Sequence, residues 1–207
     1  MDLRRRRADY GTLKNHRTPE VSNEFPQRQN VIEQMNLQPV LEDERVRLVP
    51  LTPGDFEALY LVASDPLIWE QHPNRDRYRR DVFQKFFEGA LQSRGALLIV
   101  DRTTESLIGS SRYYDLNVTQ EIVSIGYTFI ARSHWGGQFN PRVKRLMIDH
   151  AFRFVDRIVF EIGALNRRSQ IAIERLGARK IDEKLVTYFG EEPKLNFVYE
   201  MDKRHWL

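Results

Sequence analysis

The chain contains no cysteine, so it has no disulfide framework, no thiolate metal site and no cysteine nucleophile to carry an acyl group. Histidine is scarce too. The five, at positions 16, 72, 134, 150 and 205, fall at no spacing that would pair two of them on a metal. No apolar run approaches the roughly 20 residues that a membrane-spanning helix needs. Neither sign of charge dominates, since 32 basic and 29 acidic residues leave a net +3. That gives little support to a nucleic-acid protein, which would concentrate cations on one face. What is present suits one folded domain with a possible appendage: 207 residues, 41% hydrophobic and 29% charged.

Residues 1–34 are polar, poor in aliphatic side chains and without any sustained period, so they read as a disordered tail. The basic run Arg4 to Arg7 is diluted by Asp2, Asp9, Glu20, Glu24 and Glu33, and no apolar segment follows it to make a secretion signal. Met35 stands as a candidate native start. The folded domain is expected over residues 35–207.

From there the pattern alternates. Arg45 to Leu51 reads as a half-buried strand; Thr52 and Pro53 open a helix with Phe56, Leu59, Tyr60 and Ala63 on one face. Asp65 to Arg80, with Pro66 and Pro73, is a loop or broken helix. Asp81 to Ser93 is a helix with Val82, Phe83, Phe86, Phe87 and Leu91 inward. Strands follow at 96–100, 106–114 and 122–130, then a helix, a strand at 157–164, a helix at 166–176 closed by Gly177, and strands at 179–189 and 196–202. Three successive strands suggest an antiparallel meander, and the later strand–helix–strand unit a parallel neighbour. The expected fold class is α+β: one domain with a mixed, mostly antiparallel central sheet and helices on both faces.

One stretch carries chemistry. After the strand ending at Ile130 comes Arg132-Ser133-His134-Trp135-Gly136-Gly137-Gln138-Phe139-Asn140-Pro141, and then the apolar face Val143, Leu146, Met147, Ala151. Asn140 is a good helix cap and Pro141 fits the first helical position. The glycine pair lets the backbone approach a ligand, and the unpaired N–H groups of a first helical turn attract an anion. Arg132, Arg142, Lys144 and Arg145 surround it in sequence. His150 reads as a hydrogen-bonded core histidine, and Arg77, Arg79 and Arg80 as a solvated helix start.

The element order, the Trp135-Gly136-Gly137 turn after Ile125-Gly126-Tyr127, and Asn166-Arg167-Arg168-Ser169 before Leu176-Gly177-Ala178 together resemble the GNAT superfamily of acetyl-CoA-dependent N-acetyltransferases. The likeness covers about residues 36–204 and is strongest to the branch of ribosomal-protein N-terminal acetyltransferases. It implies acetyl-CoA as co-substrate, no metal, and transfer to a primary amine, a protein N-terminus or a small amine. Without cysteine, that transfer is direct attack in a ternary complex. The resemblance also implies that the loop from Trp135 through Gly136, Gly137, Gln138 and Phe139 to Asn140 binds the pyrophosphate. Phe129, Ile130 and Ala131 would pair with the pantetheine arm, and the acetyl carbonyl would sit where this strand and Val159 to Ile162 splay apart. Asn166 would contact the arm, and Ser169 would protonate the departing thiolate, with Tyr188 the rival donor. Trp69, His72, Arg75 and Tyr78 fall in the substrate-facing segment, although Trp69 could equally pack the early helices.

Two departures stand out. Gln138 replaces a glycine of the family's loop, and Ser124 stands where relatives often carry a glutamate base, here a substrate-side residue at most. Glu121, Glu161 and Glu183 are the nearest acids, each reading more simply as surface. A catalytically idle acyl-CoA-binding module is therefore the alternative. The reading brings with it a cytoplasmic monomer or homodimer that engages no membrane.

Overall fold

Alternation along β3 (Ala96–Asp101) sets the layering: Leu97 and Ile99 enter one core, Ala96 and Leu98 another on the opposite face. The computed structural model describes residues 24–187 and 192–206. Around β3 lie β1 (Leu41–Glu42), β2 (Val46–Pro50), β4 (Ser106–Asn117), β5 (Ile122–Ile130), β6 (Arg157–Gly163), β7 (Arg179–Val186) and β8 (Lys194–Asp202). They form one sheet in the order β1-β2-β3-β4-β5-β6-β8-β7. Its neighbours are antiparallel except β5 and β6, which run parallel. The mixed, mostly antiparallel α+β expectation holds.

Each face carries its helices. On one, α2 (Phe56–Ala63) and α3 (Arg80–Gln92) pack Leu59, Phe83, Phe86, Phe87 and Ala90 against Leu98 and Phe129. The spacing 83, 86, 87, 90 is one helical stripe. On the other, α4 (Phe139–Ala151) sets Val143, Met147, Ile148 and Ala151 against Leu48, Leu97, Ile99 and Ile125. Tyr113 crosses this layer, buried, and donates its hydroxyl to Met147 O at 2.6 Å. The last helix, α5 (Arg167–Glu174), follows β6 and contributes Ile173 to the same core. Among the described residues, no helix is long and apolar enough to cross a membrane.

The tail expectation needs correction at its end. Residues 24–33 form a helix, α1 (Glu24–Glu33), and the buried Ile32 and Met35 belong to the α4-side core. Arg28 pairs with Glu121 at 2.6 Å and also with Asp156. Two apolar residues three apart make no legible pattern; they are ordered by what they touch across the chain. Residues 1–23, with Arg4 to Arg7, lie outside the described residues. His150 is the core histidine expected, its Nε2 2.9 Å from Asn36 O and its pKa lowered by burial.

Candidate active site

β5 and β6 pair at Ile122–Arg157, Val123–Ile158 and Ser124–Val159, and there the pairing stops. Both strands run on, β5 bonded to β4 as far as Ile130 and β6 to β8 as far as Gly163. The cause lies in β5. Between Gly126 and Phe129 it spends three steps against two on β4, from Arg112 to Ser110, with Tyr127 at φ 53°. Such a bulge bends its strand and increases the local twist, which carries β5 away from β6. The expected gap is therefore present.

The opening is the inner end of a cleft. A cavity of about 100 Å³ is lined by Gly126, Thr128, Lys144, Phe160, Glu161 and others. A larger one of about 410 Å³ reaches outward past Ile130, Trp135, Gly136, Gly137 and Arg168. Trp69, His72, Thr128, Asn140, Asn166, Ser169 and Ala172 line both, so the two are one passage. It runs from the loop before α4 to the point where the strands part.

The outer end is built of backbone. Gly136 has φ 72°, a conformation that costs other residues strain. α4 starts at Phe139, capped by Gln138, two residues earlier than Asn140 would place it. The first intrahelical bond is Arg142 N–H to Gln138 O. Pro141 therefore lies in the first turn rather than opening it, where its missing N–H costs nothing. The Gln138 side chain makes no cap bond, and the Phe139 ring is buried beside His134 at 4.8 Å. Phe139 can thus serve a ligand only through its N–H.

The expected ring of cations is otherwise engaged. Arg132 is paired with Asp65 at 2.5 Å, Arg142 with Asp43 and Glu44 at 2.9 and 2.6 Å, and Arg145 lies over the Trp206 ring. Their partners, Asp65, Asp43, Glu44 and Trp206, are distant in sequence, which is why the sequence hid them. Arg168 of α5 lines the passage instead, 4.2 Å over the Trp135 ring and 3.1 Å from Glu70. An anion here would rest on N–H groups and the helix dipole, with Arg168 the nearest lining cation.

Along the wall, Ala131 N–H bonds Ile108 O on β4. By the alternation of an antiparallel ladder, Phe129 also faces β4, and only Ile130 of the three directs its backbone at the passage. Its carbonyl already accepts from Trp135 Nε1 at 2.8 Å. Asn166 caps α5, accepting from Ser169 N–H at 3.2 Å. Ser169 Oγ makes no hydrogen bond among the described residues. Tyr188 lies outside them.

Of the substrate-side residues, Trp69 is both wall and core: it is 2% exposed, packs on Phe129 and Phe86, and donates to Ala63 O at 2.7 Å. Ser124 is buried at the last bonded rung, held between Tyr114 and Val159, and does not line the passage. The strands have not yet parted there. Arg75 and Tyr78 belong to a single 3-10 turn, Arg75–Tyr78, and neither lines the passage.

That turn also corrects Arg77, which is buried rather than solvated, 4.8 Å from the Phe86 ring centre. Arg79 and Arg80 are the exposed pair expected, joined to Asp81 and Glu57. Arg77 Nη1 lies 3.1 Å from His72 Nε2. A guanidinium only donates, so Nε2 accepts, while Nδ1 lies 3.1 Å from Asn74 O and 3.0 Å from Asn74 N. Burial, and then the Arg77 charge, hold His72 well below the usual histidine pKa. It lines the passage as a neutral ring whose basic nitrogen is taken.

Lys144, expected among the cations around the loop, is instead turned into the inner cavity, a placement that sequence reasoning missed. It sits one turn into α4, 5% exposed, with Nζ donating to Thr128 Oγ1 at 2.7 Å. Thr128 Oγ1 is 2.7 Å from Ser111 Oγ, and the Phe160 ring centre is 5.7 Å from the ammonium. Lys144 has no ion pair among the described residues. Burial lowers its pKa to about 7. Glu121 pairs with Arg28 and Glu183 with Lys180, whereas Glu161, expected at the surface too, is largely buried, lines the inner cavity and pairs with Lys184.

Comparison with known proteins adds a family. The family model of the acetyltransferase (GNAT) domain matches residues 45–179. Among solved structures, a GCN5-related N-acetyltransferase from Brucella melitensis superposes with TM-score 0.71 at 16% identity, over 82% of this chain and 80% of that one. The spermidine N-acetyltransferase from Vibrio cholerae, in complex with CoA and spermine, gives 0.61 at 13% identity over 78% and 98%. The ribosomal-protein-S5-alanine acetyltransferase from Vibrio fischeri gives 0.60 at 15% identity over 82% and 100%. At these identities the structural likeness is one of fold.

Proposed function

Since the chain belongs to the GNAT acetyltransferase family and is an acyltransferase, we propose that it moves the acetyl group of acetyl-CoA to a primary amine, a protein N-terminus or a small amine, by direct attack in a ternary complex. The observation that carries this reading is the passage from the helix N-terminus of α4 to the β5–β6 opening. Pyrophosphate would rest on the N–H groups from Gly136 to Asn140, the pantetheine arm would follow Ile130 and Asn166, and the acetyl carbonyl would lie between β5 and β6. An amine arriving past Trp69 and His72 meets it there. With no cysteine in the chain, an acyl-thioester intermediate on the enzyme has no residue to form on.

The lining charges narrow the acceptor. Arg77 lines the inner cavity with one carboxylate, Glu161, itself joined to Lys184. A polyamine carrying several positive charges has little to hold it there, which favours a single amine such as a peptide N-terminus. Acetyl-CoA at millimolar concentration should raise the melting temperature, because it binds only the folded state. CoA thiol release is then expected with a peptide N-terminus or a small monoamine at a higher kcat/KM than with spermidine. Stabilisation without turnover on any amine would instead support an idle acyl-CoA-binding module.

A further inference from the structure

A GNAT reaction needs the amine as a free base, yet Ser124 is a closed-off hydroxyl and His72 already spends its basic nitrogen on Arg77. We propose that Lys144 is the proton acceptor for the incoming amine, held by Thr128 in the mouth between β5 and β6. The proposal rests on the acetyl-transfer reading above.

The geometry comes from three elements. α4 passes the opening on one side and extends Lys144 into it; β5 supplies Thr128, 2.7 Å from Nζ; β6 supplies the Phe160 face. A lysine so placed is held between apolar and hydroxyl groups, with no ion pair among the described residues. Facing the same cavity are Glu161 on β6, His72 and Arg77 from the segment before α3, Tyr114 on β4 and Tyr127 on β5. α5 and its cap contribute only the uncharged Asn166, Ser169, Ala172 and Ile173. Glu161 is committed to Lys184, and burial followed by the Arg77 charge holds His72 well below the usual histidine pKa.

The step balances. Neutral Lys144 Nζ takes one proton from the bound ammonium and becomes an ammonium itself. The freed amine's lone pair forms the C–N bond to the acetyl carbon, and the C–S bond then breaks with its pair leaving on sulfur. The second proton lost by nitrogen goes to that thiolate, and Lys144 returns its proton to solvent. One N-acetyl product, one CoA thiol and one released proton result. A base titrating near neutral pH is half-ready at working pH, and burial puts this lysine there.

The test is Lys144→Met, which keeps the length and apolar stem, with Thr128→Val as a second variant. Acetyl-CoA affinity by calorimetry should stay within about threefold, while kcat/KM for the best amine at pH 7 falls about 100-fold or more. The wild-type pH profile should level off near neutrality; that of Lys144→Met should keep rising toward the amine's own pKa. Thr128→Val should move the wild-type limb. A readout independent of catalysis is thermal. Between pH 7 and about 10 an unfolded lysine keeps its proton and the buried one has lost it, so the unfolded state binds more protons and stability rises with pH. The melting temperature of wild type should therefore climb relative to Lys144→Met across that window. Full activity with an unchanged pH profile in Lys144→Met overturns the proposal, as does the absence of thermal divergence. A wild type that acetylates no amine removes the acetyl-transfer reading and the base role with it, whatever the thermal result.

Discussion

Ser169→Ala is expected to lower kcat about 100-fold, the lower end for a general acid, while acetyl-CoA affinity holds. Ser169 lies in the first turn of α5, where its N–H is bound by Asn166 Oδ1, and it lines both parts of the passage. As the tetrahedral adduct collapses, negative charge develops on sulfur, and a hydroxyl within reach can stabilise or protonate it. The thiolate is a fair leaving group unaided, which keeps the effect moderate. Because the cap is made by the Asn166 side chain to the Ser169 backbone, removing the Ser169 hydroxyl leaves the helix end intact. Asn166→Ala differs: it loses the cap, at about 1 kcal/mol, and affinity together. If Ser169→Ala keeps full kcat and Tyr188→Phe does not, the acid is Tyr188.

Gly109→Val should strongly destabilise the protein. A Cβ at Gly109 would stand 2.0 Å from Phe129 O and 3.0 Å from Ile130 Cα, both backbone atoms of the paired strand. Nothing flexible can yield, so β4 and β5 must separate just where β5 bulges. Overpacking costs about 1–3 kcal/mol and more when backbone is displaced. At the upper end, a domain of this size loses roughly 6–12 °C of melting temperature. Acetyl-CoA stabilisation should shrink as well, because Ile130 moves with the ladder. Thermal melts with and without acetyl-CoA read both effects.

Most of this fold was legible because its elements carry strong local patterns. The run 122–130 is β-branched and aromatic and forms β5 over those same residues. Of the face read at 82, 83, 86, 87 and 91, the three phenylalanines are buried and Val82 and Leu91 half-buried. The strand-to-helix loop announced itself through Gly136 and Gly137, and Asn166 through its capping position. What escaped depends on contacts distant in sequence. Lys144 stands between Val143 and Arg145 as one more polar residue of an amphipathic helix, and its burial follows from a strand pair that parts overhead. Arg77 looked solvated among neighbouring arginines, yet the turn it occupies packs against Phe86 and Tyr127. Ile32 was too isolated to signal a helix. The bulge at Tyr127, which opens the cleft, shows only in the register of β4 against β5.

The central claim places acetyl-CoA in the passage, with its pyrophosphate at the start of α4 and its acetyl group in the β5–β6 opening. Amide hydrogen exchange with and without saturating acetyl-CoA tests it most directly, since bound N–H groups and a rigidified wall exchange more slowly. Protection is expected at Ile130, across residues 136–142 and over the first turn of α5 at 166–170. Unchanged exchange in these segments under saturating ligand, or protection confined to other parts of the chain, would contradict the account.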